Sequence, residues 1–159
     1  MLTIDDYLMG RGKRYAADLT EDVQANALDL LSRVNLLLGF AYANGVQPTL
    51  DEKTGTHVAS GWRPPAINDA TSNAAKSSRH MTGQAIDLRD DPDKRPLARW
   101  CLGNLDRLAT IGLWMESPQW TPSWVHLQTV PPKSGKRVYI PSSKPPLAPP
   151  LPGQMVTVG

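Results

Sequence analysis

Residues 78–87 read SRHMTGQAID and place an imidazole, His80, seven positions before a carboxylate, Asp87, with Gly83 between them. The chain has three histidines, and a second one, His126, lies in the segment WVHLQ. A catalytic zinc ion takes three protein ligands from His, Asp or Glu and keeps a fourth coordination position open. The residues His80, Asp87 and His126 therefore predict a site for one zinc ion.

Strand alternation around these residues favours the same interpretation. In the apolar run AIDL, alternation points Ala85 and Asp87 to one face, so the small alanine leaves room for a cation beside the carboxylate. In WVHLQ, alternation separates a polar face that carries His126 from an apolar face formed by Val125 and Leu127. Both segments are expected to be strands that bear site residues on one face only.

A single histidine in a strand is more often a hydrogen-bonded structural residue than a metal ligand. The joint occurrence of His80, Asp87 and His126, with Gly83 in an expected tight turn, reverses that expectation. His57 precedes the segment VASG and fits no ligand position. We expect a structural or surface role for His57.

Two segments predict helices. The stronger one begins after a candidate N-cap, Thr20, repeats apolar residues at three- and four-residue spacing, and ends at Asn44 and Gly45. A second helix is predicted from Pro96 to Gly112. The acids before it are expected to form a solvated helix start: Asp90, Asp91 and Asp93.

Strand character occurs in short segments at 46–50, 57–61, 84–88, 113–116, 124–128 and 137–140. Strands gathered after one long helix, without regular strand–helix alternation, favour an α+β fold over a doubly wound one. We expect a small, mostly antiparallel sheet with two main helices packed on it and the zinc site at the sheet. The polar loop 64–79 is long enough to be functional.

Composition predicts one domain, residues 1–140, followed by a proline-rich C-terminal tail, residues 141–159. The density of proline excludes a helix in this tail, which should be extended or polyproline II, either draped over the domain or disordered. The single cysteine, Cys101, excludes an internal disulfide framework and is expected to be a buried thiol.

The net charge of +2 is too weak for the dense basic field that duplex binding usually needs, so we expect no nucleic-acid partner. No apolar run reaches the length of a membrane span or of a signal peptide. We therefore expect a protein that is made in the cytoplasm without a cleaved export signal. We also expect a monomer.

The pattern Ser78-x-His80-x-x-Gly83-x-Ala85-x-Asp87, followed by WVH at 124–126, resembles the zinc D-alanyl-D-alanine carboxypeptidase family. That family has a hedgehog-like zinc fold and also holds phage L-alanyl-D-glutamate endolysins and vancomycin-resistance dipeptidases. The resemblance covers about 50 residues. It implies a zinc peptidase whose substrate is the stem peptide of bacterial peptidoglycan, cut by a D,D-carboxypeptidase or an L-alanyl-D-glutamate endopeptidase activity.

The resemblance also implies roles for individual residues. Arg63, in SGWR at 60–63, resembles the family arginine that contacts substrate or stabilises developing charge, and Ser78 resembles a substrate-contacting serine. The alternatives are an ion-paired arginine and a turn-capping serine.

The general base departs from the family pattern. Many relatives place an acid three residues before the last histidine, where this chain has Ser123. A hydroxyl cannot relay a proton at neutral pH as a carboxylate can. The best substitute is Glu116, provided that 113–116 pairs with 124–128 as a hairpin. Otherwise, Glu116 is an ordinary surface residue.

Two classes of function follow from the resemblance. The first is a metallopeptidase of phage or prophage origin that reaches the cell wall after phage-assisted release or as a virion component. The second is a catalytically silent zinc-binding module, such as a phage structural or cell-wall-binding protein, that kept the ligands and lost the base. Three tryptophans lie near the predicted hairpin and either line a substrate groove or build core: Trp114, Trp120 and Trp124. A core position is favoured for Trp114.

Overall fold

A computed structural model describes residues 1–141, 145–152 and 154 of the chain. The other tail residues, 142–144, 153 and 155–159, lie outside the described residues. The elements in chain order are α1 Ile4–Leu8, α2 Arg11–Arg14, α3 Glu21–Ala43, β1 Val58–Ser60, α4 Pro65–Ala70, β2 Ala85–Arg89, α5 Pro96–Leu102, α6 Leu105–Ile111, β3 Trp114–Glu116, the 3₁₀ turn η1 Pro118–Trp120, β4 Trp124–Gln128 and β5 Val138–Tyr139.

The strands form one five-stranded sheet in the order β1-β2-β4-β3-β5, antiparallel except for the β3–β5 pair. The predicted α+β fold with a mostly antiparallel sheet is therefore confirmed. β2 and β4 pair along their full length, from Ala85 opposite Gln128 to Arg89 opposite Trp124. One face of this pair is apolar and fully buried, formed by Ile86, Leu88, Val125 and Leu127.

Helix α3 supplies the other half of this core. The hydroxyl of Thr20 accepts a hydrogen bond from the amide of Val23 and caps the helix start, as predicted. One stripe of α3 is buried in the core at helical spacing: Ala27, Leu30, Leu31, Val34, Leu37, Leu38 and Ala41. Because burial of a leucine side chain contributes about 1.5–3 kcal/mol, this stripe is a major source of stability.

The sheet contains a strand in five of the six predicted segments, which confirms them, but it contains none at 46–50. Pro48 lies in the middle of that segment and lacks the amide hydrogen that a sheet ladder requires. Only the amide of Thr49 bonds the end of β2, by donating to the carbonyl of Arg89. The segment is therefore an extended connection and not a strand.

The predicted helix from Pro96 to Gly112 is instead two short helices, α5 and α6. They are separated at Gly103 and Asn104, where the side-chain amide of Asn104 donates to the carbonyl of Trp100. Asparagine competes for backbone hydrogen-bond partners in this way, and glycine weakens a helix interior. The helix is therefore interrupted at these two residues. Cys101 in α5 is buried, as predicted, and burial raises the pKa of its thiol to about 12.

The prediction that Asp90 belongs to a solvated helix start is wrong. It is only 3% exposed and accepts hydrogen bonds from the amides of Leu97 and Ala98 in the first turn of α5. The guanidinium of Arg95 donates to the same carboxylate and to the carbonyl of Trp124. This buried ion pair joins the end of β2 to α5 and to the start of β4.

The sequence patterns did not predict α1, α2 or α4. Tyr7 of α1 is fully buried, and its hydroxyl donates to the carbonyl of Ala85 in β2. The described part of the tail lies against η1, because the amides of Leu147 and Ala148 both donate to the carbonyl of Gln119. Within the described residues, we find no helix with the length and hydropathy of a membrane span.

Candidate metal centre

A row of polar residues crosses the sheet on the face opposite the core. Ser60 pairs with Asp87, Asp87 pairs with His126, and Glu116 pairs with Tyr139. The register of the β3–β4 hairpin brings Glu116 beside His126 and so completes the row. Directly paired residues on neighbouring strands project from the same face with Cβ atoms about 5 Å apart. The five side chains therefore share one surface of the sheet.

His80 joins this row from the loop before β2. It is 3% exposed, and its Nε2 atom lies 3.4 Å from Oδ2 of Asp87. Its Nδ1 atom lies 2.8 Å from the carbonyl oxygen of Gly61. Because a carbonyl can only accept, Nδ1 carries the proton and Nε2 presents its lone pair to the site. Burial lowers the pKa of His80, which favours this neutral form.

His126 approaches the same carboxylate from β4. Its Nδ1 atom lies 2.7 Å from Oδ1 of Asp87, and its Nε2 atom lies 3.0 Å from Oε1 of Gln128. Burial alone would lower the pKa of His126, but the hydrogen bond and charge of Asp87, with a contribution from Glu116, raise it to about 9. Without a cation, His126 is therefore protonated and forms an ion pair with Asp87.

Asp87 is the centre of the cluster. Burial alone would raise the pKa of Asp87, but the imidazoles of His80 and His126 hold it well below its usual range. Arg63 adds a third contact, because its Nη2 atom lies 3.4 Å from Oδ2 of Asp87 while its Nε atom donates to the hydroxyl of Ser60. The bulge of β1 at Ser60 lies directly beside the cluster, where such irregularities re-aim side chains.

The donor set fits a divalent cation. The potential ligand atoms of His80, Asp87 and His126 all lie within 4.8 Å of one another, and all three residues are buried. Two imidazoles and one carboxylate are a ligand set of catalytic zinc, and one imidazole already presents an unprotonated nitrogen. The structure thus brings together the three predicted ligands in a site that could hold a metal ion.

Glu116 lies on the site face at the end of β3. The hairpin on which its role depends is present, since Met115 pairs with Leu127. Burial raises the pKa of Glu116, the charge of His126 opposes that rise, and Asp87 adds to it. Glu116 is therefore a partly desolvated carboxyl beside the candidate ligands and not an ordinary surface residue.

Neither Ser78 nor Ser123 belongs to the cluster of candidate ligands. The hydroxyl of Ser78 accepts a hydrogen bond from the amide of His80 at 3.3 Å, so it caps the turn that carries this candidate ligand. This contact is the turn-capping alternative, and it positions His80. Ser123 is exposed before β4, and its carbonyl accepts a hydrogen bond from the amide of Asp90.

The remaining candidates lie around the centre. Trp114 is only partly buried and lies two residues from Glu116 on the site face, so the predicted core role is wrong. The guanidinium of Arg137 stacks on the indole of Trp114 at 4.3 Å. His57 is partly buried, and it is absent from the metal-ligand cluster found among the described residues.

Gln128, Tyr139 and Gly61 also contact the centre, and sequence reasoning did not assign them a role. Gln128 was visible as a polar residue on the same strand face as His126, two positions away. The signal for Tyr139 is weaker, because its place depends on the parallel pairing of β3 with β5. Gly61 contributes a backbone oxygen, for which the sequence carries no signal.

Comparisons with protein-family models, with curated proteins and with solved structures each found no match to this chain.

Proposed function

We propose that the protein is a zinc-dependent peptidase that hydrolyses a peptide bond in the stem peptide of bacterial peptidoglycan. The observation that carries the proposal is a cluster of two imidazoles and one carboxylate with a partly buried glutamate and an arginine beside it. His80, Asp87 and His126 would hold the ion. When bound, zinc supplies a Lewis acid that polarises a carbonyl and lowers the pKa of a water molecule.

Glu116 has the properties of the general acid–base. Burial raises the pKa of this carboxyl, so it is a stronger proton acceptor than an exposed glutamate and better suited to take up and return a proton. In the proposed reaction, a Glu116 oxygen accepts a proton from the attacking water. The same oxygen then donates that proton to the leaving amine as the carbon–nitrogen bond breaks.

Arg63 has the properties of the group that binds substrate and stabilises charge. Two of its nitrogens are used to hold it against Ser60 and Asp87. A guanidinium carries five N–H donors, so others remain for a substrate carbonyl or carboxylate. A preorganised cation beside a developing oxyanion is a large source of rate enhancement.

The decisive experiment compares metal content with hydrolysis. Purified cell walls of several chemotypes are incubated with zinc-loaded protein, with a chelated sample and with a His80→Ala variant, and released amines and stem peptides are followed. We expect metal-dependent product that is absent from the other two samples. Mass spectrometry of products from a defined stem peptide then identifies the bond and separates a carboxypeptidase from an endopeptidase.

The Glu116→Gln variant tests the base, with Glu52→Gln as a matched control on an exposed residue. We expect Glu116→Gln to lose about 10²-fold or more in kcat while zinc stays stoichiometric. Full activity in that variant would refute the role of Glu116. Stoichiometric zinc with no product from any wall would instead favour a catalytically silent zinc-binding module. Substoichiometric zinc in the wild-type protein would count against both functions.

A further inference from the structure

We propose that Gln128 and Tyr139 are positioning residues that hold His126 as an Nδ1 metal ligand. The inference deepens the proposed function, because it rests on the same metal site. The hydrogen bonds of Gln128 and Tyr139, which we call the arm, extend from β4 to β5, outside the triad of candidate ligands. None of its groups touches substrate in our proposal.

The arm is a continuous hydrogen-bond chain. The amide nitrogen of Gln128 donates to the carbonyl of Val130 at 2.6 Å. The amide oxygen of Gln128 lies 3.0 Å from Nε2 of His126 and accepts from the hydroxyl of Tyr139 at 2.8 Å. Gln128 is 7% exposed, so water is largely excluded from these contacts.

These contacts allow only one orientation of the Gln128 amide. A flipped amide would set its oxygen against the carbonyl of Val130, where two acceptors would face each other. The same flip would remove the oxygen that accepts from the hydroxyl of Tyr139. Both the bond to Val130 and the bond from Tyr139 would then be lost. The phenol of Tyr139 is protonated at neutral pH and donates to the amide oxygen of Gln128. Oxygen therefore faces His126.

An acceptor at Nε2 determines which nitrogen of His126 is free to bind metal. When the imidazole is neutral it carries one proton, and Gln128 competes for that proton with Asp87 at Nδ1. If the proton stays on Nδ1, the nitrogen that faces Asp87 and His80 cannot be a ligand. The oxygen of Gln128 favours the other tautomer. Such outer partners of ligating histidines typically contribute about 10–100-fold to metal affinity.

His80 provides an internal comparison for the same effect. Its Nδ1 proton is held by a backbone carbonyl, that of Gly61, which no side-chain substitution removes. The two candidate ligands thus bind through different ring nitrogens and have different partners. A substitution at Gln128 should alter the environment of His126 alone.

The test uses the full chain loaded with Co²⁺, which shifts imidazole N–H proton signals far outside the ordinary spectrum. We expect two such signals with slow solvent exchange, from His80 and His126. Gln128→Met should lose one signal by fast exchange and weaken Co²⁺ and Zn²⁺ binding about 10–100-fold. Gln128→Glu, which keeps an acceptor, should restore both, and Tyr139→Phe should give a smaller loss of affinity. Gln84→Met is the matched control, because Gln84 bonds the hydroxyl of Thr82.

The outcomes separate this inference from the proposed function. If wild-type protein binds Co²⁺ but Gln128→Met binds it equally well and keeps both signals, the positioning role is overturned while the metal site stands. If Gln128→Glu behaves like Gln128→Met, the loss is one of packing, which also overturns the role. If the wild-type protein binds neither Co²⁺ nor Zn²⁺, the metal site and both proposals fail together. None of these readouts depends on peptidase activity.

Discussion

The metal-free protein should lose stability as the pH rises from 6.5 to 9. The perturbation is pH alone, and the responsible group is His126, whose pKa rises from an ordinary value of 6.5 to about 9 in the fold. A folded-state pKa above the unfolded value means that folding binds a proton. The stabilisation is therefore fully present below pH 6.5 and is lost as the pH rises through about 9.

The magnitude follows from that difference. Each pKa unit corresponds to about 1.36 kcal/mol, so the rise from 6.5 to about 9 is worth roughly 3 kcal/mol. His126 is 8% exposed, so solvent screening reduces this value little. The shifts of two other buried groups affect stability outside this window. The lowered pKa of His80 affects stability below pH 6.5, and the raised pKa of Cys101 affects it above pH 9.

The assay is urea unfolding in the presence of a chelator at several pH values from 6.5 to 9. The free energy of unfolding should fall across this range in wild-type protein and in His57→Gln, and it should be flat in His126→Gln. With saturating zinc the trend should reverse, because the metal requires a neutral imidazole and competes with the proton. A chelated wild-type protein whose unfolding free energy is constant over the window would refute the reasoning.

Three further predictions concern stability and catalysis. Gly83→Ala should destabilise the protein by more than about 2 kcal/mol in urea unfolding, because its φ is +77° and a Cβ would lie 2.6 Å from a carbonyl of α3. Gly135→Ala, with φ +68° and no atom within 4 Å, should incur only the backbone strain. Asp90→Asn should cost about 3 kcal/mol by the same assay, since it leaves a buried guanidinium without its carboxylate. Arg63→Gln should lower kcat/KM on stem peptide about 10²-fold at unchanged zinc content; a loss of zinc instead would make Arg63 a structural partner of the ligand.

The cluster of the three candidate ligands was predictable because its signals are local. His80, Gly83 and Asp87 lie within eight positions, and strand alternation assigns Asp87 and His126 to a face without any knowledge of the partner strands. The buried Val125 and Leu127 confirm that assignment. The long helix was predictable for the same reason, since its cap and its apolar stripe both lie within one segment.

The rest of the centre depends on which strands are neighbours. Glu116 is ten positions from His126 and Tyr139 is thirteen positions beyond it, yet the sheet order β4-β3-β5 sets them side by side. A register shift of one residue in β3 would turn Glu116 into the core and Met115 toward the site. No pattern within 113–116 distinguishes these registers. The position of Glu116 at the centre therefore follows from strand pairing and not from its own segment.

This dependence on register also bears on Ser123, which occupies the position where the family that the chain resembles places an acid. An acid three residues before His126 would approach the site along β4, from the exposed turn where Ser123 lies. A residue on β3 paired beside His126 reaches the same site across the sheet, at a Cβ separation of about 5 Å. The cross-strand position is also more enclosed, and burial there raises the pKa of Glu116 toward the range that acid–base exchange requires. A serine at position 123 therefore does not exclude the proposed acid–base chemistry, because the sheet offers a second position beside His126 that depends on strand pairing.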